Sequence, residues 1–138
     1  FVVAIEAIKQ DDGRYYAFTD NGREKTGLEV VSWAKQVERL GAGEIILTSV
    51  DTEGTGLGFE VDLSKQVTAA VKIPVVAHGG AGKLADIKDA FENGSASGVS
   101  IASMLHYHLH NTPYKKVETV NISQIKKYLV KNKIPCRI

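Results

Sequence analysis

The chain has 138 residues, 43% of them hydrophobic and 24% charged, with a net charge of +1. That balance suits a single domain, residues 1–138, with a core of its own; without a basic block it argues against nucleic-acid and membrane-surface partners. No apolar stretch approaches the ~20 residues of a membrane span and no signal peptide is visible. A lone Cys136 excludes an internal disulfide framework and fits a reducing, cytoplasmic compartment. The sequence opens on Phe1 rather than Met, already in a strand pattern, as expected of a processed chain or of a piece of a longer one.

In chain order, residues 1–6 read as a buried strand. Residues 15–19 read as a surface hairpin arm between the turns Asp11-Asp12-Gly13 and Asp20-Asn21-Gly22. Thr26-Gly27-Leu28-Glu29 has the spacing of a capping box, with Thr and Glu satisfying the first orphan N–H groups of a helix. That helix places Val30, Ala34, Val37 and Gly41 on one face and ends at Gly41 or Gly43. A second strand at 44–50 leads into a Gly-rich loop at 51–59. The second helix starts near Asp62 and aligns Leu63, Val67, Ala70 and Val71.

Pro74 opens a third strand at 75–77, and the third helix aligns Leu84, Ile87, Ala90 and Phe91 before closing near Gly94. Residues 98–102 form a fourth strand. The last helix follows Asn121, capped with Gln124 three residues on, and buries Ile122, Ile125 and Leu129. Four β/α units with short connections imply right-handed parallel crossovers. Either a small doubly wound sheet or half of a (β/α)8 barrel fits. A complete barrel takes ~200 residues or more, and four strands alone leave two edges to be covered.

The run Ile73-Pro74-Val75-Val76-Ala77-His78-Gly79-Gly80-Ala81-Gly82 opens a short buried strand into a glycine-rich turn before a helix. Such a turn can present bare N–H groups at a helix start and hold a phosphate; it can also serve backbone sterics alone. His106-Tyr107-His108-Leu109-His110 would align three imidazoles only on a strand. It follows a short helical turn and enters a loop at Asn111-Thr112-Pro113, with no second ligand cluster, so neither a metal nor a cofactor is assigned. Lys126, Lys127, Lys131 and Lys133 read as the solvent face of the last helix, and Arg23 and Lys83 as solvated charge.

Several stretches resemble the cyclase subunit of imidazole glycerol phosphate synthase, a (β/α)8 barrel of histidine biosynthesis. They are Val2-Val3-Ala4-Ile5-Glu6, Thr26-Gly27, the run from Gly41 to Ser49, Asp51-Thr52-Glu53-Gly54-Thr55, His78-Gly79-Gly80-Ala81-Gly82-Lys83 and Ala102-Ser103-Met104-Leu105-His106, in the family's order and spacing. The likeness covers the C-terminal half-barrel only. The fold it implies is α/β, four β/α units forming half of a TIM barrel that pairs with a second half, either a second copy or the N-terminal half.

The activity the resemblance implies is that of a cyclase of the lyase type. Ammonia and a bis-phosphorylated aminoimidazole-carboxamide ribonucleotide would give imidazole glycerol phosphate and an aminoimidazole carboxamide ribotide. Glu6 falls on the acid–base position, where the family has Asp. Gly54, Gly80 and Ser103 fall on one of two phosphate sites, so the ligand would be a phosphosugar or ribonucleotide phosphate. A plain N-cap remains the other reading of Ser103, and a turn glycine that of Gly54. Thr48 and Asp51 keep the family's identities at the barrel mouth, or hydrogen-bond neighbouring loop backbone. Glu53 again replaces Asp, and Thr52 a usual Arg. His78 and Gly79 belong to the phosphate turn, with His78 where the family usually has Ser. Glu44 falls on a ring of charges gating ammonia from a glutaminase subunit. The second catalytic Asp belongs to the absent half, so the chain alone is expected to bind phosphate without turnover. A non-catalytic half-barrel that only assembles, and a cyclase paralogue in surface-sugar biosynthesis, are the alternatives.

Overall fold

The computed structural model describes residues 1–110 and 117–137. Its elements are β1 (Val2–Lys9), β2 (Tyr15–Thr19), β3 (Glu24–Glu29), α1 (Val30–Arg39), β4 (Glu44–Ser49), α2 (Val61–Ala70), β5 (Val75–His78), α3 (Leu84–Glu92), β6 (Gly98–Ser100), α4 (Ser103–Leu109) and α5 (Ile122–Lys131). The expected loop at Asn111, Thr112 and Pro113 lies outside the described residues.

The six strands form one sheet in the order β3-β2-β1-β4-β5-β6. Strands β1, β4, β5 and β6 are parallel, and the β1–β2 and β2–β3 pairs are antiparallel. The parallel strands lie side by side in chain order. Because each crossover is right-handed, an order that never reverses stacks every helix on the same face. A doubly wound sheet requires a reversal point; its absence selects the half-barrel. Ile5, Ala7, Ile45, Leu47 and Val75 meet Val30, Ala34 and Val37 of α1 and Leu63 and Val67 of α2 in one buried cluster. Ala77 packs with Ile87, Ala90, Met104, Ile125 and Leu129 in a second. The alternate residues face away from the helices. Val2 and Ala4 are exposed there, and Ile46 and Val76 half-buried.

Several boundaries moved, each for a physical reason. β1 continues three residues past Glu6 because its end pairs with β2, from Glu6↔Phe18 to Lys9↔Tyr15. The hairpin arm thus has a partner, β3, that the sequence reading assigned to a helix cap. Thr26 lies inside β3, its hydroxyl donating to the Ala17 carbonyl (2.6 Å) and accepting from Leu28 N–H (3.1 Å). The cap of α1 is Glu29, whose carboxylate accepts from Val31 N–H (3.0 Å) and Ser32 N–H (2.8 Å). Gly41 is exposed beyond the end of α1 rather than on its buried face. The fourth strand stops at Ser100, where the chain bends into α4.

The cap of α5 is as expected, Asn121 accepting from Gln124 N–H (2.9 Å) and Gln124 from Asn121 N–H (2.8 Å). Ile122, expected in the core, is half exposed. It is the first residue of α5 and borders an open apolar groove with Leu105, Leu109 and Val120 instead of lying over the sheet. Among the described residues no helix is long and apolar enough to cross a membrane.

Glu29 carries a pH prediction. Burial pushes its carboxyl up, but the Ser32 and Val31 N–H groups outweigh this and hold it below the ordinary glutamate range. A group depressed in the folded state stabilises the fold above its unfolded pKa of ~4.3, and the contribution disappears as pH falls through the lowered value. Thermal melts from pH 6 downward are expected to show the wild type losing stability over that window more steeply than Glu29→Gln. Parallel curves would remove Glu29 as a contributor.

Candidate phosphate and acid–base site

Parallel register sets the site's first layer. Glu6 lies opposite Thr48, Thr48 opposite His78, and His78 opposite Ser100, one residue from each strand in a row across the sheet. All four are on the face away from the helices, near the strands' C-terminal ends, where loops converge on ligands in barrels. The Thr48 hydroxyl is buried and lies 3.0 Å from His78 Nδ1. Glu6 is not at a strand tip, as the sequence reading had it, but within β1. One carboxylate oxygen accepts from the N–H of Gly22 in the β2–β3 turn at 3.1 Å. The extra methylene of Glu over Asp therefore reaches an anchor on the hairpin.

Beside this row is a cavity of about 150 Å³. Glu53, Gly54 and Gly56 line it from the loop after β4, and His78, Gly79, Gly80 and Ala81 from the turn after β5. Ser100, Ile101, Ala102 and Ser103 close it from the end of β6 and the start of α4. Six residues expected at a phosphate site are thus brought together: Glu53, Gly54, His78, Gly79, Gly80 and Ser103. Ser103 is not the N-cap of α4; that position is Ala102, which makes no side-chain cap bond.

The glycine turn works differently from its sequence-based reading. The N–H groups of Gly82 and Lys83 both donate to the Asp86 carboxylate at 2.9 Å, and that of Leu84 to Glu118 at 2.9 Å. The start of α3 is therefore already occupied by two carboxylates, not bare. The N–H groups of Gly80 and Ala81, further up the turn, make no hydrogen bond to another described residue. The turn also interlocks with the loop after β4. Gly58 N–H donates to the Gly80 carbonyl at 2.8 Å, and the Thr52 hydroxyl to the Gly79 carbonyl at 3.2 Å. A Cβ on Gly80 would overlap the Gly58 carbonyl, and one on Gly82 the Gly56 carbonyl.

Asp51 and Glu44 are in neither the cavity nor the row. Asp51 is exposed and accepts from Lys9 N–H at 2.9 Å, pinning the end of β1 to the loop after β4, away from the cavity. Glu44 is half-buried at the N-terminal end of β4, opposite Val2, a strand's length from the cavity. His106 and His108 are in the helix α4, where a two-residue step turns them to different sides. Among the described residues no group of three His, Cys, Asp or Glu is placed to hold a metal ion. The sequence reading missed Ser100, Gly56 and the backbone of residues 101–102. Ser100 is found only through its register with His78; the one sequence signal for Gly56 is its glycine-rich loop.

Comparison with known proteins agrees with this geometry. A family model described as histidine biosynthesis protein matches residues 1–111. Among similar curated proteins is the imidazole glycerol phosphate synthase subunit HisF of Alkaliphilus metalliredigens, 47% identical over 115 residues, which are 83% of this chain and 46% of that protein. The subunit HisF of Lactococcus lactis is 44% identical over 138 residues, 99% of this chain and 49% of its own length. That of Prochlorococcus marinus is 44% identical over 138 residues, 99% and 50%. The chain spans about half the length of these relatives. With four parallel β/α units and a match over most of its length, the chain belongs to the histidine biosynthesis protein family.

Proposed function

We propose that this chain supplies one half of a cyclase barrel of the imidazole glycerol phosphate synthase type. The completed barrel joins ammonia to a bis-phosphorylated aminoimidazole-carboxamide ribonucleotide, releasing imidazole glycerol phosphate and an aminoimidazole carboxamide ribotide. The observation that carries this reading is the row Glu6–Thr48–His78–Ser100 beside the glycine-lined cavity. A carboxylate for proton transfer and a cradle for one phosphate sit at the same level of one sheet face. The cradle's remaining donors are the Gly80 and Ala81 N–H groups, with the Ser103 hydroxyl. The second carboxylate and second phosphate grip come from the other half. Glu44, at the far end, faces ammonia delivered by a glutaminase subunit. Free Cys136 fits the reducing cytoplasm in which such chemistry would run.

The test is ammonia-dependent turnover by this chain alone and mixed with the N-terminal half of a relative. Activity only on mixing is the expected result. No activity in either case, with Glu6→Asp failing to restore it, would leave a phosphate-binding half-barrel without catalysis.

A second reading follows from the uncovered surface. β6 is paired on one side only, and residues 2–5 of β1 pair with β4 alone, because the pairing of β1 with β2 covers only Glu6 to Lys9. Two parallel edges and an open face bearing Val2, Ala4, Ile46 and Val76 suit pairing with a second copy. Sedimentation giving a stable, folded monomer would count against this.

A further inference from the structure

We propose that Thr52 is a positioning residue for the anion cradle: its hydroxyl holds the Gly79–Gly80 peptide so that the Gly80 N–H, and not a carbonyl, faces a phosphate in the cavity. The inference rests on the cavity being a phosphate site and adds the residue that aims one of its donors. A trans peptide is planar, with its C=O and N–H pointing in opposite directions, and the described residues contain no cis bond. Whatever fixes the Gly79 carbonyl therefore fixes the Gly80 N–H. The Thr52 hydroxyl donates to that carbonyl at 3.2 Å, and no backbone N–H among the described residues does so. Gly79, Gly80 and Ala81 line the cavity and Thr52 does not, so the bond is made outside the space it organises.

The chain itself leaves this peptide free to turn over. Both residues flanking it are glycines, at φ +94° and +103°, and a flip would carry Gly80 to negative φ, where every residue is at ease. Flipped, the peptide would offer the anion a carbonyl oxygen in place of a donor. The next peptide is fixed in the same way by backbone alone: Gly58 N–H donates to the Gly80 carbonyl at 2.8 Å, which orients the Ala81 N–H. Of these two bonds, only the first depends on a side chain. Thr52 is well held for it. Its own carbonyl accepts from the Thr55 N–H (3.1 Å) and hydroxyl (2.6 Å), and a β-branched side chain is stiff at χ1. A second acceptor for the Thr52 hydroxyl, the Ser49 carbonyl at 3.4 Å, already accepts from Glu53 N–H at 3.0 Å.

Calorimetry with inorganic phosphate at fixed pH, together with two-dimensional amide NMR, tests the role. Thr52→Val keeps the shape and removes the donor. It is expected to bind phosphate about tenfold more weakly, as when about a tenth of the molecules hold the binding-competent peptide. Thr52→Ser, which keeps the hydroxyl, should recover most of the loss. At saturating phosphate the Gly80 amide signal is expected to shift in wild type and Thr52→Ser but not in Thr52→Val, while that of Ala81, held by Gly58, shifts in all three. If the valine variant does not fold, Thr52→Ala makes the same comparison with less bulk beside Gly80. Equal affinity with and without the hydroxyl overturns the positioning role and leaves the phosphate site standing; so does a loss that moves the Gly80 and Ala81 signals alike and that serine does not restore. Absence of phosphate binding by the wild type removes the site and the positioning role together.

Discussion

Gly80→Ala is expected to destabilise the fold by about 4 kcal/mol, a large share of the 5–15 kcal/mol that holds a domain together. Two costs add. The residue has φ +103°, where an L side chain is strained by ~1–3 kcal/mol. Its Cβ would also overlap the Gly58 carbonyl, whose own N–H is bonded to the Gly80 carbonyl, so neither strand of backbone can yield without losing that bond. Gly54→Ala is the control. Its φ is +71° and a Cβ there meets nothing within 4 Å, so only the backbone cost of ~1 kcal/mol applies. Urea melts of both variants decide the matter; equal losses would mean that the interlock between the two loops contributes nothing.

In a barrel completed by a relative's N-terminal half, Glu6→Gln is expected to lower ammonia-dependent turnover about 10²–10⁴-fold, the usual contribution of a positioned acid–base group. The carboxamide oxygen still accepts from Gly22 N–H, so the side chain stays where the carboxylate was and proton transfer alone is lost. The melting temperature should change little. Glu6→Asp draws the carboxylate back by one methylene, releases the Gly22 anchor and should fall between the two. Full activity in Glu6→Gln would assign the acid–base step to the other half. The hairpin turn enters this expectation directly: Asp20 and Asn21 both have positive φ and turn the chain so that Gly22 N–H points at Glu6.

Much of the helical face was legible in local pattern. The spacing of Val30, Ala34 and Val37, of Leu63 and Val67, and of Ile125 and Leu129 marks residues that are buried in the structure, because a helix repeats its face every 3.6 residues whatever it packs on. The Asn121–Gln124 cap was legible for the same reason: its partners are three residues apart. Thr26 and Glu29 have that spacing too, but Thr26 was drawn into β3 by pairing with a strand nine residues back. Ile122 has the right angular position for the core, yet the first turn of α5 borders an open groove and leaves it half exposed.

The sequence by itself determined the four β/α units, the glycine turn and the identities of most cavity residues, since each depends on neighbours within one element or one loop. Tertiary structure alone decided what those residues face. Sheet register put Glu6, Thr48, His78 and Ser100 in one row, although they are far apart in the chain. Contacts between loops turned the glycines at 80 and 82 into points of backbone contact and let Asp86 and Glu118 fill the start of α3. Strand order, which no periodicity encodes, left one sheet face bare and so made the chain half of a barrel.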